Sequence, residues 1–521
     1  MNENRRRNWP IALLFLVCIA RLWLMPLPSS FWVDEMVTAF VVHQGPADPS
    51  LAVAPQVPQS IYYKLPQAAE ALLGFSEISY RLPSILAMAV ALLLTSLLAA
   101  RLIHPQAGWF AAFACLGLRG INTAAGDARM YALGMCVAAA AMLFLVRWLD
   151  SADWRDALAF IVFGALVWRV HLIFWPFYVG LAAYALVRLE RQDTPVSKVH
   201  AGLVFALLGI ALVPVLMEAV ALNRDAHAHV IVPPPTLREF IYSLQVRLIL
   251  ECTLGAWLLY RILHWKRQPA PLSAAAFALV GGWWLLQPFC LYGYSWLTGN
   301  SVFVARYLSL GLPGAALAAT AAVAFFLPSQ YWKRASAALG VGVLLVLGHW
   351  WELWPMHARS NWRAAAAAVN QLSLGPETPV ICPSPFIEAK PPAWRSDYRL
   401  PGFLYAHLPV YPIRGKEYLF PFEYSPPAEE FASKLAENVL PSARRFFIYG
   451  GDRNALFWRD WFARRPELAG WSNRRLGPFG DVEVVEFEKP AAIETGIRLR
   501  PGLRMEYSSN RSIRLSQGGV Q

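Results

Sequence analysis

The sequence predicts an all-α polytopic membrane protein of about eleven transmembrane helices, followed by a smaller α/β domain. Of its 521 residues, 57% are hydrophobic and 15% are charged, whereas soluble domains carry about 25% charged residues. The mean hydropathy is +0.38. Apolar runs succeed one another up to about residue 351, and beyond it Pro and charged residues become frequent. The chain is therefore expected to divide into a membrane part and a polar part.

Stretches of roughly 17 to 25 apolar residues are long enough to cross a bilayer as helices. The predicted spans are approximately 11–28, 82–103, 107–124, 128–149, 156–168, 171–187, 202–222, 240–263, 273–293, 305–327 and 335–351. The fifth is short, but basic residues on both sides of the fifth and sixth place both flanks in the cytoplasm, so two crossings separate them. These residues are Arg147 and Arg155 before the pair, and Arg188, Arg191 and Lys198 after it.

The positive-inside rule also predicts the orientation of the whole chain. With Arg5–Arg7 in the cytoplasm as part of an uncleaved signal anchor, an odd number of crossings places the polar part outside, in the periplasm if the cell is bacterial. We therefore expect a transmembrane domain over 1–351 with a first outer loop over 29–81. An extracytoplasmic α/β domain follows over 352–521, with a frayed end after Pro490. The predicted location is the inner (plasma) membrane.

Charge and cysteine content exclude other classes. The net charge of +12 comes from basic residues dispersed between apolar runs, which favours membrane orientation over nucleic-acid binding. Five of the six cysteines lie in apolar runs, where a thiol behaves as a small hydrophobe. Only Cys382 falls in the polar part, so no disulfide can form within it.

The polar part alternates strand and helix patterns. "TPVIC", "RRFFIYG" and "DVEVVEF" are predicted strands, and "NWRAAAAAVNQL" and "PAEEFASKLAENVL" are predicted helices. The long stretch "IEAKPPAWRSDYRLPGFLYAHLPVYP" is aromatic and rich in Pro. It is either a lid or acceptor-docking loop, or an ordinary surface connection.

Ionisable residues cluster at one predicted depth, near the outer ends of several spans. They are Asp127, Arg129, Arg169, His171, Glu218, Arg247, Glu251 and Arg306. Charges at membrane depth are costly and usually functional, so this coincidence predicts a cavity open to the outer leaflet. Each also has a structural reading: a single Arg can snorkel to headgroups, and Arg247 and Glu251, four residues apart, can neutralise each other.

Two adjacent acids follow the first span, in "PSSFWVDEMVTAF" (residues 28–40). Asp34 and Glu35 are framed by Phe31, Trp32 and Met36, and the predicted topology places them outside. They are either functional carboxylates in an apolar setting or a helix-capping pair.

The order of these elements resembles the GT-C superfamily of membrane glycosyltransferases, in the branch of protein O-mannosyltransferases and aminoarabinose transferases. The likeness covers roughly residues 10 to 375 as a pattern, and no single motif decides it. The stretches that carry it are "FWVDEMVTA", "SIYYKLPQAAEALLGFSEISYRLPSILAMAVALLL", "GDARMYALGMCVAAAAMLFLVRWL", "FVARYLSLGLPGAAL" and "SNWRAAAAAVNQL". One departure is "VPQSIYYKLP", where the family often has a Pro-Pro pair, so the alignment of Lys64 with a family lysine is left open.

The resemblance implies an inverting hexosyl- or pentosyltransferase with a polyprenyl-phosphate-linked sugar donor and a glycan, lipid or protein acceptor outside the cytoplasm. Asp34 is the expected general base, with Glu35 as its rival or as a group that orients the acceptor. Asp127 is expected to face Asp34 and bind sugar hydroxyls, an acceptor amine or a divalent metal ion; whether a metal takes part is left open.

Cations and aromatic groups complete the predicted site. Arg306 and Lys64 are the first choices for the leaving phosphate, followed by Arg129 and Arg247, because preorganised cations stabilise its charge. The other predicted substrate-binding residues are Tyr62, Tyr63, Arg81, Tyr131, His171 and Tyr307.

Two alternatives belong to other classes. A transporter or flippase of a lipid-linked or anionic solute predicts internal repeats and helices broken at mid-membrane; the sequence shows no repeat, and its charges gather at one face. A non-catalytic scaffold with the same fold would have no need of acids at positions 34, 35 and 127.

Overall fold

The computed structural model describes residues 9–54, 57, 60–224, 233–264, 272–397 and 402–490. The predicted frayed end after Pro490 and the basic residues Arg5–Arg7, Lys266 and Arg267 lie outside these ranges.

The membrane part and its first loop are built from fifteen described helices. They are α1 (Trp9–Ile19), α2 (Val33–Gln44), α3 (Lys64–Leu73), α4 (Glu77–Leu102), α5 (Gly108–Leu116), α6 (Arg119–Gly126), α7 (Tyr131–Ser151), α8 (Trp154–Val170), α9 (Pro176–Glu190), α10 (Lys198–Arg224), α11 (Leu237–Ser243), α12 (Val246–Ile262), α13 (Ala274–Thr298), α14 (Leu312–Ala324) and α15 (Trp332–Leu347). A π-helical turn (Ala20–Leu24) extends α1, and short 3-10 segments (Ile61–Tyr63, Leu172–Phe174, Ala305–Gly311) precede α3, α9 and α14.

Six helical segments in the described part are long and apolar enough to cross a membrane. They are Glu77–Leu102, Tyr131–Ser151, Leu172–Glu190, Lys198–Leu222, Ala274–Thr298 and Ala305–Ala324. The all-α membrane architecture is thus confirmed, but the predicted count of about eleven spans is not. Part of the difference is local: the predicted span 107–124 is divided at Gly117, because Leu118 has an extended backbone between α5 and α6.

Close helix packing fixes the end of the bundle where the ionisable residues gather. Most of α7 is buried, and Gly134 lets Phe174 approach: a Cβ there would lie 2.4 Å from that ring. Gly314 on α14 likewise lets α13 approach, because a Cβ at this position would lie 2.5 Å from the backbone nitrogen of Trp284. Small residues allow membrane helices to approach at backbone distance. The starts of α7 and α14 therefore have fixed positions.

The C-terminal part contains a five-stranded sheet with helices. Its elements are α16 (Trp362–Leu372), β1 (Pro379–Pro383), α17 (His407–Val410), β2 (Lys416–Phe420), α18 (Pro426–Asn438), β3 (Arg445–Gly451), α19 (Asp452–Ala463), β4 (Ser472–Leu476) and β5 (Val482–Glu488). The strand order is β2-β1-β3-β5-β4. β1 pairs in parallel with β2 and β3, whereas β5 pairs antiparallel with β3 and β4. The sequence did not predict β2, β4, α17 or α19.

Polar contacts join this part to the first loop and to α4. The Tyr411 hydroxyl donates to Glu77 at 2.8 Å and accepts from the Phe31 amide at 2.8 Å. Arg363 donates to the same Glu77 carboxylate at 3.0 Å. The Phe403 amide donates to the Ser50 hydroxyl at 2.8 Å. The sheet-containing part therefore lies against the end of the bundle where Asp34 and Arg306 meet.

Candidate functional site

Asp34 lies in the first turn of α2, between two arginines from other helices. Its Oδ2 atom is 3.3 Å from Nη2 of Arg306, at the start of the segment preceding α14. Nη1 of Arg129, just before α7, donates to the Asp34 backbone carbonyl at 3.0 Å. In the described part of the chain, Asp34 Oδ2 and Arg129 Nε are buried without a hydrogen-bond partner. Such groups are costly, so their convergence indicates a ligand site.

Aromatic rings surround these charges. The His171 ring lies 5.2 Å from that of Tyr307 and 6.1 Å from that of Tyr131, centroid to centroid. The Arg306 guanidinium lies 5.6 Å from the Tyr307 ring and 6.0 Å from that of Trp32. The buried Tyr131 hydroxyl has no partner in the described residues. This wall places π faces and a free hydroxyl beside the two cations.

Two tyrosines of the first loop complete the wall. The Tyr62 hydroxyl lies 3.0 Å from Ser84 Oγ, which donates to the Arg129 carbonyl at 3.2 Å. Burial raises the pKa of Tyr63 despite the opposing charge of Arg129, so both Tyr63 and Tyr62 remain neutral hydroxyls at ordinary pH. Both positions agree with the predicted binding role without testing it.

Glu35, next to Asp34, is bound to Arg81. Nε of Arg81 donates to Oε1 at 2.7 Å, a second donor reaches Oε2, and both side chains are fully buried. The backbone amides of Ala128 and Trp32 donate to the same carboxylate at 2.8 and 3.2 Å. Burial opposes ionisation, but the Arg81 charge and hydrogen bonds hold the pKa of Glu35 below its usual range. Glu35 is therefore an ionised acceptor whose lone pairs are all used.

This arrangement corrects the predicted substrate-binding role of Arg81. Its remaining donors reach the carbonyls of Leu27, Ser29 and Ser30 at 2.7 to 3.1 Å. A guanidinium without exposure or free donors cannot bind a substrate. It instead ties α4 to the chain that leads into α2.

Asp127 lies beside Glu35 and contacts His357, a residue that the sequence did not single out; that it faces Asp34 stays a prediction. Its Oδ1 accepts from the Trp32 indole at 2.9 Å and lies 3.9 Å from Nε2 of His357. Burial raises the pKa of Asp127, and the neighbouring Glu35 carboxylate adds to the rise. His357 lies in the linker after α15; a single His between Met and Ala carries no motif that would identify it.

Three of these residues, Glu35, Asp127 and His357, are of types that bind divalent metal ions. Ligand atoms of Glu35, Asp127 and His357 lie within 4.8 Å of one another. An ionised carboxylate offers about four lone-pair positions, and Arg81 with two backbone amides occupies all four on Glu35. A metal would have to displace a buried guanidinium, so this cluster does not fit a resident cation.

A third acid, Glu388, lies in the C-terminal part, in the connection after β1, and is partly buried. Burial raises its pKa, and the Asp34 charge raises it further. The only sequence signal was the long aromatic, Pro-rich stretch that contains it.

Two predicted cations are not brought to the cluster. The Lys64 side chain is exposed at the start of α3 and makes no contact with Asp34 in the described structure. Arg247 on α12 donates to Glu251 at 2.6 Å, and its side chain is 86% exposed. The prediction that Arg247 binds phosphate is therefore corrected. Glu251, one helical turn away, pairs with Arg247 on the exposed face of α12, which is the structural alternative given in the sequence analysis. Arg169 lies 3.7 Å from Glu218.

The chain is similar to known proteins in part of its sequence and in its fold. The sequence model of the dolichyl-phosphate-mannose-protein mannosyltransferase family matches residues 64–217, less than a third of the chain. Crystal structures of ArnT from Cupriavidus metallidurans, bound to undecaprenyl phosphate and in the apo state, superpose with TM-scores of 0.54 and 0.56. Each is 13% identical and covers 92% of this chain and 98% of ArnT. No curated protein sequence matches significantly. The chain is therefore a membrane protein with the GT-C fold, as its motifs predict.

Proposed function

We propose that this protein is an integral membrane glycosyltransferase that moves a sugar from a polyprenyl-phosphate donor to an acceptor at the extracytoplasmic face. The observation that carries the proposal is that two arginines meet at Asp34, at one end of a GT-C bundle: Arg306 contacts its carboxylate, and Arg129 donates to its backbone carbonyl. ArnT, with the same fold, binds undecaprenyl phosphate. A lipid phosphate is the ligand chemistry that two arginines at a membrane surface suit best.

Asp34 is the proposed general base. An acceptor hydroxyl must lose its proton as it attacks the anomeric carbon, and a carboxylate within hydrogen-bond reach can take that proton. Oδ2 of Asp34 is buried and faces Arg306 at 3.3 Å, so it becomes available for this contact once a bound phosphate engages Arg306. Its neighbour Glu35 has no such free position, which favours Asp34 of the two acids.

Arg306 and Arg129 are the proposed phosphate ligands. When the bond from the sugar to the lipid phosphate breaks, negative charge grows on the phosphate, and preorganised donors stabilise it. Arg306 is partly exposed and contacts Asp34 through one edge of its guanidinium. A bound phosphate would compete for Arg306 and release Asp34 to the acceptor. Attack by the acceptor from the face opposite the phosphate inverts the anomeric centre.

Asp127 and the aromatic wall are proposed to hold the sugar. The Asp127 carboxyl, whose pKa is raised by burial, lies beside Trp32 and His357 and is proposed to bind a sugar hydroxyl. Tyr131 offers a free hydroxyl, while the His171 and Tyr307 rings offer apolar faces. Glu35 and Arg81 are assigned a positioning role, because they fix the start of α2.

The transporter alternative remains the other class to test. It predicts that the lipid-linked sugar crosses the bilayer intact, whereas a transferase breaks the sugar–phosphate bond. The two are separated by whether label on the sugar leaves the lipid.

The test uses membranes containing the full protein, cell-envelope extract as acceptor, and polyprenyl-phosphate sugars labelled in the sugar. We expect label to leave the lipid and to stay on it with Asp34→Asn. The matched control is Asp397→Asn, because Asp397 is an exposed acid whose ion pair, within the described ranges, is with exposed Arg395 at 3.4 Å. Transfer by Asp34→Asn at the rate of the control would remove Asp34 from the mechanism. Intact movement of labelled lipid would favour the transporter.

A further inference from the structure

We propose that Gln287 on α13 is a positioning residue for sugar transfer, which holds the two backbone segments that carry Arg306 and His171 in a fixed relation to Asp34. The inference rests on the proposed function and deepens it. It identifies a residue outside the Asp34 cluster that sets the rate of transfer, because the orientation of Arg306 depends on it.

Both segments lack a backbone donor, because each leads into a helix with a proline in its first turn. In a 3-10 helix, a carbonyl accepts from the amide three residues later. Pro176 begins α9 and has no amide hydrogen for the Ile173 carbonyl in the segment before it. Pro313, at the start of α14, likewise has none for the Leu310 carbonyl. These buried carbonyls therefore need donors from another element.

Side chains of α13 supply these donors. Nε2 of Gln287 donates to the Ile173 carbonyl at 3.2 Å and to the Tyr307 carbonyl at 2.9 Å. One helical turn earlier, Nε1 of Trp283 donates to the Leu310 carbonyl at 2.8 Å. Both donating side chains are buried. Gln287 joins the two segments directly, since its one NH₂ group donates to a carbonyl in each.

The two segments carry side chains of the candidate site. Arg306 precedes Tyr307 in the chain, and its guanidinium lies 5.6 Å from the Tyr307 ring and 3.3 Å from the Asp34 carboxylate. His171 caps the start of the other segment, and its ring lies 5.2 Å from that of Tyr307. Loss of the Gln287 bonds would free the backbone from which Arg306 extends. A misplacement of about 1 Å can cost about a hundredfold in rate.

The structural alternative is that Gln287 only stabilises the helix bundle. A purely structural role would lower the folded fraction and leave the rate per folded molecule unchanged. A positioning role lowers the rate per folded molecule, and it does so through Arg306. The two roles therefore differ in kcat and in their dependence on a second substitution.

The experiment measures initial rates of label transfer from polyprenyl-phosphate sugar against donor concentration, with the full protein and per folded molecule. Gln287→Met keeps the length of the side chain and removes both donated bonds. It should lower kcat at least about tenfold, the equivalent of about 1.4 kcal/mol. The KM for donor should change less than about twofold, because Arg306 acts on charge that develops as the bond breaks.

The matched control is Thr320→Val. Thr320 is buried on α14, and its hydroxyl donates to the Ala316 carbonyl of the same helix at 2.7 Å. The control therefore removes a buried hydrogen bond of the neighbouring helix without separating two segments. It should keep the wild-type kcat per folded molecule.

A double-mutant cycle tests whether Gln287 acts through Arg306. In an Arg306→Gln background, Gln287→Met should slow transfer less than about twofold, because the group that it would misplace is already absent. Equal slowing in both backgrounds would overturn the inference. A rise in the KM for donor without a fall in kcat would also overturn it.

The outcomes separate this inference from the proposed function. If the wild-type protein moves no label from the lipid, the proposed function fails, and this inference with it. If the wild-type protein is active and Gln287→Met has the kcat of Thr320→Val, only this inference is overturned.

Discussion

The buried Glu35–Arg81 pair allows a quantitative prediction about a residue that sequence reasoning placed among the catalytic candidates. Glu35→Gln removes the negative charge and leaves the Arg81 guanidinium fully buried beside a neutral amide. Removing one partner of a buried ion pair costs about 3–5 kcal/mol. Gln also replaces one carboxylate oxygen with an NH₂ group. This donor would face groups that donate to Glu35 in the wild-type protein, including the Ala128 amide at 2.8 Å. We therefore expect the upper half of that range.

A double-mutant cycle measures the pair itself. Arg81→Gln removes the cation and three hydrogen bonds to carbonyls before α2. The combined Glu35→Gln/Arg81→Gln protein should be less destabilised than the sum of the single variants, with a coupling of about 2 kcal/mol or more, since contacting charges are not additive. The assay is unfolding of the full protein in mixed micelles, with transfer normalised to the folded fraction.

The result that would refute the reasoning is specific. If Glu35→Gln unfolds like the wild-type protein but loses transfer, Glu35 acts in the chemistry and not in the architecture. If the single variants add without coupling, the two side chains do not form the pair described here. Loss of transfer in proportion to folded protein is the expected outcome.

Three further predictions concern phosphate binding, pH and metals. Arg306→Gln should lower transfer by about a hundredfold, because a preorganised charge donor contributes roughly 3 kcal/mol, and Arg306→Lys should restore little in the same labelled-donor assay; wild-type rates in either variant would contradict the role. Burial lowers the pKa of His407 to about 3, below its value of about 6.5 in an unfolded chain. The contribution of neutral His407 to the free energy of unfolding is therefore complete above about pH 6.5 and decreases as the pH falls towards 3, by up to about 1.4 kcal/mol per pH unit. The free energy of unfolding measured from pH 7 to pH 4 should show this slope, and His407→Phe should reduce it. Transfer should be unchanged by metal chelators, and loss of activity restored by a divalent cation would contradict the poor fit of the Glu35 cluster.

Hydropathy and motif order predicted the fold more securely than the span boundaries. The predicted GT-C fold is confirmed by the superposition with ArnT. The number of crossings was less predictable. Composition detects apolar runs, but Gly117 and the extended backbone at Leu118 break one of them through local geometry.

For the site, the sequence suggested candidate residues, but it did not show the tertiary contacts that decide their roles. The sequence predicted that Asp127, Arg129 and Arg306 lie at one depth near Asp34; the structure brings Arg306 and Arg129 to Asp34 and places Asp127 beside Trp32 and His357. Their detailed roles depend on partners far away in the chain. The sequence suggested Arg81 as a substrate ligand, whereas in the structure Glu35 neutralises it. Hydropathy could not predict this, because it does not show which residue of a loop helix pairs with which residue of a span.

Two residues were missed for a related reason. His357 and Glu388 come from the linker and the C-terminal part, more than two hundred residues after Asp127. Neither lies in a recognisable motif, and neither lies in a predicted span, where ionisable residues draw attention. β4 escaped prediction because its residues, "SNRRL", are mostly exposed and lack alternation of apolar and polar side chains.

The central claim is that Asp34, set between Arg306 and Arg129, takes the proton of the acceptor as a sugar leaves a lipid phosphate. The most direct test is single-turnover release of polyprenyl phosphate by purified protein in nanodiscs, with donor binding measured separately. For Asp34→Asn we predict unchanged or tighter donor binding and release slowed by at least about a hundredfold. Release at the wild-type rate, or loss of donor binding with an unchanged rate in the bound fraction, would contradict the account.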